Sequence, residues 1–155
     1  GALFSFCTEA PAWISKSTSN NVRSALKEIG FLLGLGYQLA DDILDITGVE
    51  ENLGKPAGND LIQNCMTTPL FMMMKESQLS WKTFREKYMS RGHGLKTDFL
   101  DGPIYSEIKG QISKIKIELD QKVKVCKDEN WNIDEIVSIF WSLYVEKRMS
   151  LLRDL

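Results

Sequence analysis

The sequence has little histidine and cysteine, the side chains that hold most structural zinc ions. It contains one histidine and three cysteines in 155 residues, and Cys7, Cys65 and Cys126 stand far apart. Neither a Cys-x-x-Cys pair nor a Cys/His zinc spacing occurs. These absences exclude a zinc module and a disulfide-stapled miniprotein, and they favour reduced thiols in an intracellular protein.

Basic residues are not in excess. Lysine plus arginine number 19 and aspartate plus glutamate number 21, which gives a formal net charge of −2. Because no broad basic field is available to hold a polyanion, we expect no nucleic-acid partner. Only a small local site for a phosphate remains compatible with this charge.

Long apolar runs are also missing. The longest, 29–40, is interrupted by three glycines and Gln38, and it is too short to cross a hydrocarbon core of about 30 Å. We therefore expect a buried core helix and no transmembrane segment. The first four residues lack the basic region of a signal peptide. Since no initiator Met is present, we expect a fragment whose N-terminal part is missing.

Helical periodicity dominates the chain. Val22, Leu26, Ile29 and Leu33 have the spacing of one helix face, which predicts a helix capped by Ser19 or Asn20 that ends at 47–48. Further helices are predicted at 1–13 (bent or ended by Pro11), 70–76, 81–89, 108–123 and 136–145, with loops at 49–64 and 90–103. No long stretch alternates with period two. The predicted class is all-α, with residues 1–155 in a single domain.

Three carboxylates cluster near the end of the central helix. At about 100° per residue, Gln38, Asp41, Asp42 and Asp45 fall in one stripe about 100° wide. Like charges one turn apart repel, and no Lys or Arg stands one turn away from them. A hard divalent cation such as Mg²⁺, which bridges to phosphate oxygens, would stabilise this stripe. The alternative is a solvated acidic helix end.

The segment that follows carries a lysine among small residues. Lys55 follows Gly54, and Gly58, Asn59 and Asp60 come just after. A lysine near a carboxylate-bound metal suits a diphosphate, because both neutralise its charge, and glycines let the backbone approach it. A plain surface loop is the alternative.

A long run of these residues resembles a known family. GLGYQLADDILDITGVEENLGKPAGNDL, followed by TTPL, covers Leu35 to Leu70 and is similar to the C-terminal half of the trans-polyprenyl (isoprenyl) diphosphate synthases. GALFSFCTEAPA and IVSIFWSLYVEKR show weaker likeness to other helices of that family. The resemblance implies the all-α helical bundle of the isoprenoid synthases, of which this chain would be the C-terminal portion, and a homodimer.

The resemblance also implies roles for single residues. The metal ligands would be Asp41, Asp42 and Asp45, holding Mg²⁺ that bridges to an allylic prenyl diphosphate. Gln38 would lie beside the reacting allyl group or its diphosphate, Lys55 would contact the diphosphate, and Asp60 would support the metal-binding end. The implied reaction is ionisation of the allylic diphosphate, attack by isopentenyl diphosphate and loss of a proton. Its largest catalytic contribution would be stabilisation of the leaving group.

The chain departs from the family pattern in two ways. The family's other aspartate-rich motif and its Lys-Thr pair are absent, so we expect this fragment to be inactive without the missing N-terminal half. The usual Gly-Lys pair is replaced by Asn64-Cys65. The loss of that lysine is expected to weaken diphosphate binding or to mark a divergent member.

Two other functions remain open. The chain could be a non-catalytic subunit that pairs with an active synthase, which Cys65 and the absent motif favour. It could also be a related class I terpene enzyme that releases diphosphate without using isopentenyl diphosphate. The intact aspartate set argues against the first of these.

Phe31 and Leu35 continue the stripe toward the start of the helix, where they would form a wall of the prenyl pocket; ordinary core packing is the alternative. We predict that Phe31→Ala alters the product chain length of the complete enzyme, because a smaller side chain changes the pocket. The measurement is the product distribution, and an unchanged distribution would contradict the pocket assignment.

Overall fold

The computed structural model describes residues 1–15, 18–48, 58–91 and 94–150. Within these ranges all regular elements are helical and no strand occurs, which confirms the predicted all-α class. None of the helices in the described part of the chain has both the length and the apolar character needed to cross a membrane.

Two helices are much longer than the others, with 28 and 26 residues. The helices are α1 (Ala2–Ile14), α2 (Asn20–Thr47), α3 (Asn59–Ile62), α4 (Thr68–Glu76), α5 (Trp81–Arg91), α6 (Gly94–Asp101), α7 (Pro103–Asp128) and α8 (Asp134–Trp141), then a π-helical turn (Ser142–Glu146) and α9 (Lys147–Ser150). Residue contacts group the chain into two compact units. The first unit comprises Gly1–Gln38 and Gln111–Arg148, and the second comprises Leu39–Gly110 and Met149–Leu155.

The first unit depends on a close approach of α1 to α2. The Thr8 hydroxyl donates a hydrogen bond to the Leu26 carbonyl at 2.6 Å. A Cβ added at Gly30 would overlap the Thr8 hydroxyl and the Phe4 carbonyl oxygen. Since successive positions along α2 meet earlier positions of α1, the two helices run antiparallel. Glycine at position 30 is therefore required by packing.

Aromatic rings also pack against one another within this unit. Phe4 of α1 packs edge-on against Phe140 of α8, with ring centroids 5.4 Å apart, and Tyr37 of α2 lies 6.2 Å from Tyr144 of the π-helical turn. Arg148 lies over the Tyr37 ring and donates to its hydroxyl at 3.3 Å. The widened helical turn thus brings Tyr144 and Arg148 to the same ring.

Surrounding groups shift the pKa values of three ionisable side chains in the first unit. The hydrogen bond from Lys122 of α7 lowers the pKa of the Glu28 carboxyl on α2, and the same contact raises the pKa of Lys122. Burial raises the pKa of the Cys126 thiol to about 11. Cys126 is therefore protonated and unreactive at neutral pH, as expected of a thiol in a core.

The second unit has its own apolar core. Its buried side chains include Ile43, Leu61, Leu70, Met73, Phe84, Phe99 and Ile108, which come from α2 to α7. Ser80 accepts a hydrogen bond from the Thr83 N–H at the start of α5, and Tyr88 near its end donates to the Asp98 carboxylate of α6 at 2.7 Å. Burial raises the pKa of Tyr88, so its hydroxyl remains a donor at neutral pH.

Most helix boundaries agree with the sequence predictions, and three assignments do not. The Ser19 hydroxyl accepts from the Val22 N–H, as expected of the N-cap, and α2 ends at Thr47. The first of the three differences is the predicted loop at 49–64, where α3 forms at Asn59–Ile62. The predicted loop at 90–103 is wrong, because α6 forms there. α1 continues past Pro11 to Ile14, so this proline does not end the helix.

We predict that Gly30→Ala lowers the free energy of unfolding by about 2–3 kcal/mol, because the new methyl group overlaps α1. The matched control is Gly110→Ala in α7, where an added Cβ meets nothing within 4 Å. That substitution should raise the free energy of unfolding by about 0.5–1 kcal/mol, as alanine favours helix. Urea denaturation measures the free energy of unfolding of both variants. Equal changes in the two would contradict the close approach of α1 to α2 at Gly30.

Candidate functional site

Asp45 ties the end of α2 to the segment that begins with α3. Its carboxylate oxygen Oδ2 accepts a hydrogen bond from the Asp60 backbone N–H at 3.0 Å. Its carbonyl oxygen accepts from the Gly58 N–H at 2.6 Å. Gly58 has a φ of 73°, a left-handed conformation that glycine adopts without strain. The Asp45 side chain therefore caps the N-terminus of α3, in which Asp60 is the second residue.

The carboxylates of the predicted stripe have different surroundings. Asp42 and Asp45 are only 4% and 2% exposed, whereas Asp41 is half-buried and Gln38 is exposed. Burying a carboxylate is unfavourable unless its charge is compensated. Of the three aspartates, Asp41 is therefore the one whose oxygens most readily reach a ligand arriving from solvent.

The donor set suits magnesium that is shared with a ligand. Within the described ranges, no group of three or more His, Cys, Asp and Glu side chains forms a ready-made metal cage. The candidate ligands Asp41, Asp42 and Asp45 offer only carboxylate oxygens, which are hard ligands. Mg²⁺ typically binds through one or two carboxylates while waters and phosphate oxygens complete its shell. The described structure does not bring the three predicted ligands together as a metal-binding group, so their binding of Mg²⁺ together with a phosphate ligand stays a prediction that rests on the chemistry of the donors.

Asn64 occupies a backbone position that restricts the residue type. Its φ is 62°, and its N–H donates to the Leu61 carbonyl at 3.2 Å just after α3. Asparagine and glycine tolerate this left-handed conformation, which accounts for asparagine where the resemblance predicted glycine. The next residue, Cys65, is exposed, and its N–H donates to the Asp60 carbonyl at 2.8 Å. The thiol thus stands where the resemblance places a lysine.

Arg85 was not anticipated from the sequence. From α5, its Nε donates to the Leu61 carbonyl at 2.8 Å and its Nη2 to the Ile62 carbonyl at 2.8 Å. Nearby, the Trp81 indole N–H donates to the Asn64 side chain at 2.9 Å. No local spacing rule links positions this far apart, and the only sequence signal was a polar residue on a predicted helix.

The remaining predicted residues are distributed as follows. Lys55 lies outside the described residues. Phe31 is 51% exposed and Leu35 is half-buried, so neither is fully enclosed by the described chain. Phe31 is thus not a buried core residue of the described chain, and its role as a wall of the prenyl pocket stays a prediction.

A family model described as polyprenyl synthetase matches residues 1–98, which include α1, α2 and the Asp45–Asp60 contact. This chain belongs to the polyprenyl synthetase family. The resemblance drawn from the aspartate-rich run is thereby confirmed. No solved structure matches the chain significantly.

Several curated relatives of this polyprenyl synthetase chain are similar over part of it. Heptaprenyl diphosphate synthase component 2 of Bacillus subtilis (strain 168) is 41% identical over 66 residues, which are 43% of this chain and 19% of the relative. Farnesyl diphosphate synthase of Geobacillus stearothermophilus is 38% identical over 74 residues, 48% of this chain and 25% of the relative. Solanesyl diphosphate synthase 1, chloroplastic, of Arabidopsis thaliana is 45% identical over 60 residues, which are 38% of this chain and 15% of the relative. The matches thus span a quarter or less of these relatives.

We predict that Asp45→Ala destabilises this polyprenyl synthetase chain by about 1–3 kcal/mol, because the Asp60 N–H loses its acceptor. Asp45→Asn is the matched control, since it also removes the charge but keeps an acceptor oxygen, and it should cost clearly less. The measurement is the free energy of unfolding in urea. Equal losses in the two variants would mean that the hydrogen bond to Asp60 is not what stabilises this segment.

Proposed function

We propose that this chain is the magnesium- and diphosphate-binding part of a prenyltransferase that condenses isopentenyl diphosphate with an allylic prenyl diphosphate. The observation that carries the proposal is the aspartate-rich end of α2, with Asp41 half-exposed and Asp45 hydrogen-bonded to the Asp60 N–H. Family membership supports the same chemistry, and the relatives' names as farnesyl and solanesyl diphosphate synthases support the substrate class.

Each residue of the proposed site would have a role that follows from its position. Asp41, Asp42 and Asp45 would hold the metal, with Asp41 nearest to solvent and Asp45 also fixing the segment at Asp60. Bound Mg²⁺ would supply positive charge against the leaving diphosphate. Gln38 would orient the allyl group or its diphosphate from the exposed side of α2, and Lys55 would neutralise diphosphate oxygens. Phe31 and Leu35 would line the path of the prenyl chain.

Several whole-protein properties belong to the same proposal. The matched segments cover at most a quarter of each of the three relatives described above, so turnover would require the remaining N-terminal helices of the family. The family resemblance also implies that the complete protein would form a homodimer. The relatives' names include products of different length, so the family alone does not set the chain length of the product.

A second candidate is a subunit that pairs with another synthase component. Two similar relatives are named as component 2 of a heptaprenyl diphosphate synthase, which implies a second component for those proteins. The exposed Cys65 in place of a lysine also fits reduced diphosphate binding. The intact aspartate set favours the catalytic proposal.

The decisive test is Asp41→Ala in the full-length gene product. Incorporation of radiolabelled isopentenyl diphosphate with each allylic partner should depend on Mg²⁺ in the wild type. The variant should lose about 10²- to 10³-fold in kcat/KM, because stabilisation of the leaving group is lost, while its Tm changes little.

Asp101→Ala, at an exposed aspartate on α6, is the matched control and should retain full activity. Full activity of Asp41→Ala would contradict the proposal. A wild type that turns over only when a separate active synthase is added would instead support the subunit candidate.

A further inference from the structure

Side chains from other helices form hydrogen bonds with the backbone at both ends of the short helix α3. At its start, the Asp45 carboxylate accepts from the Asp60 N–H at 3.0 Å. At its end, the Arg85 guanidinium donates to the carbonyls of Leu61 and Ile62, each at 2.8 Å. These hydrogen bonds add partners for backbone groups near the two ends of the helix, where hydrogen bonding within the helix is incomplete.

This helix is too short to determine its own position. It has four residues, and helices of this length are unstable in isolation because nucleation costs more than the few hydrogen bonds return. Leu61 is its buried side chain. The place of Asp60 is therefore set by the anchors at either end rather than by the helix itself.

The element that carries Arg85 is well suited to act as an anchor. Phe84, the preceding residue, is fully buried, and its ring stacks on Trp81 and meets Tyr88 edge-on at 4.8 Å. Trp81 adds a second contact to the same segment through Asn64 at 2.9 Å. A guanidinium that donates from two nitrogens fixes orientation as well as distance, which a lysine ammonium does not.

We propose that Arg85 is a positioning residue for the metal-binding end of the site, acting through α3 to hold Asp60 against Asp45. This inference rests on the proposed function and extends it to a residue that lies on a different helix from the aspartates. Arg85 touches backbone carbonyls rather than substrate, so its effect is on how readily the aspartates hold magnesium.

The test uses Arg85→Gln, Arg85→Lys and the control Lys82→Gln, which removes an exposed positive charge from the same helix. In the full-length gene product, Arg85→Gln should raise the Mg²⁺ concentration for half-maximal rate about tenfold, while kcat at saturating Mg²⁺ stays within about twofold. Arg85→Lys should raise this Mg²⁺ concentration by an intermediate factor, and Lys82→Gln should leave it unchanged. A merely structural role would lower Tm without changing this magnesium dependence.

A second readout does not depend on activity. Hydrogen exchange of the Asp60 amide should become about tenfold faster in Arg85→Gln and stay unchanged in Lys82→Gln, because α3 opens more often when one anchor is lost. Unchanged exchange, or an unchanged magnesium dependence in an active enzyme, would overturn the role of Arg85. If the wild type shows no prenyl transfer, the proposed function fails, whereas the exchange rates still decide whether Arg85 holds Asp60.

Discussion

The hydrogen bonds from Gly58 and Asp60 to Asp45 are the constraint on which the candidate site depends. They turn one residue of the aspartate-rich motif into a structural link, since its carbonyl and its carboxylate both receive backbone N–H groups. The cost of burying that carboxylate is offset in part by the hydrogen bond it accepts. Asp45 thus couples the proposed ligand set to the packing of the second unit, whereas Asp41 is left closer to solvent.

The local features of the site could be read from the sequence because they follow from helical periodicity and residue type. The end of α2 near Thr47, the cap at Ser19 and the aspartates on one helix all depend on neighbours in the chain. The different exposure of Asp41 and Asp42 depends on what packs against each of them, so no angular argument along a single helix could separate the two. The hydrogen bonds of Arg85 also join residues that are distant in the chain, so helical periodicity could not predict them.

The errors in the predicted elements have a similar origin. Residues 90–103 contain three glycines, a proline and aspartates, which are typical of loops, yet Leu95 and Phe99 are buried one turn apart on α6. Tertiary burial of these two side chains outweighed local composition. Pro11 lies inside α1, where the helix continues because burial of Ala12 and the contacts with α2 stabilise it.

The environment of Cys65 has a practical consequence. Its backbone N–H donates to the Asp60 carbonyl, while its exposed thiol lies 4.0 Å from the Gln63 carbonyl. Cys126, in contrast, is buried and protonated at neutral pH. With Cys7 replaced by serine, a fluorophore or spin label could be attached selectively to Cys65, whose backbone bonds to Asp60, giving a local probe of ligand arrival without the introduction of a new cysteine.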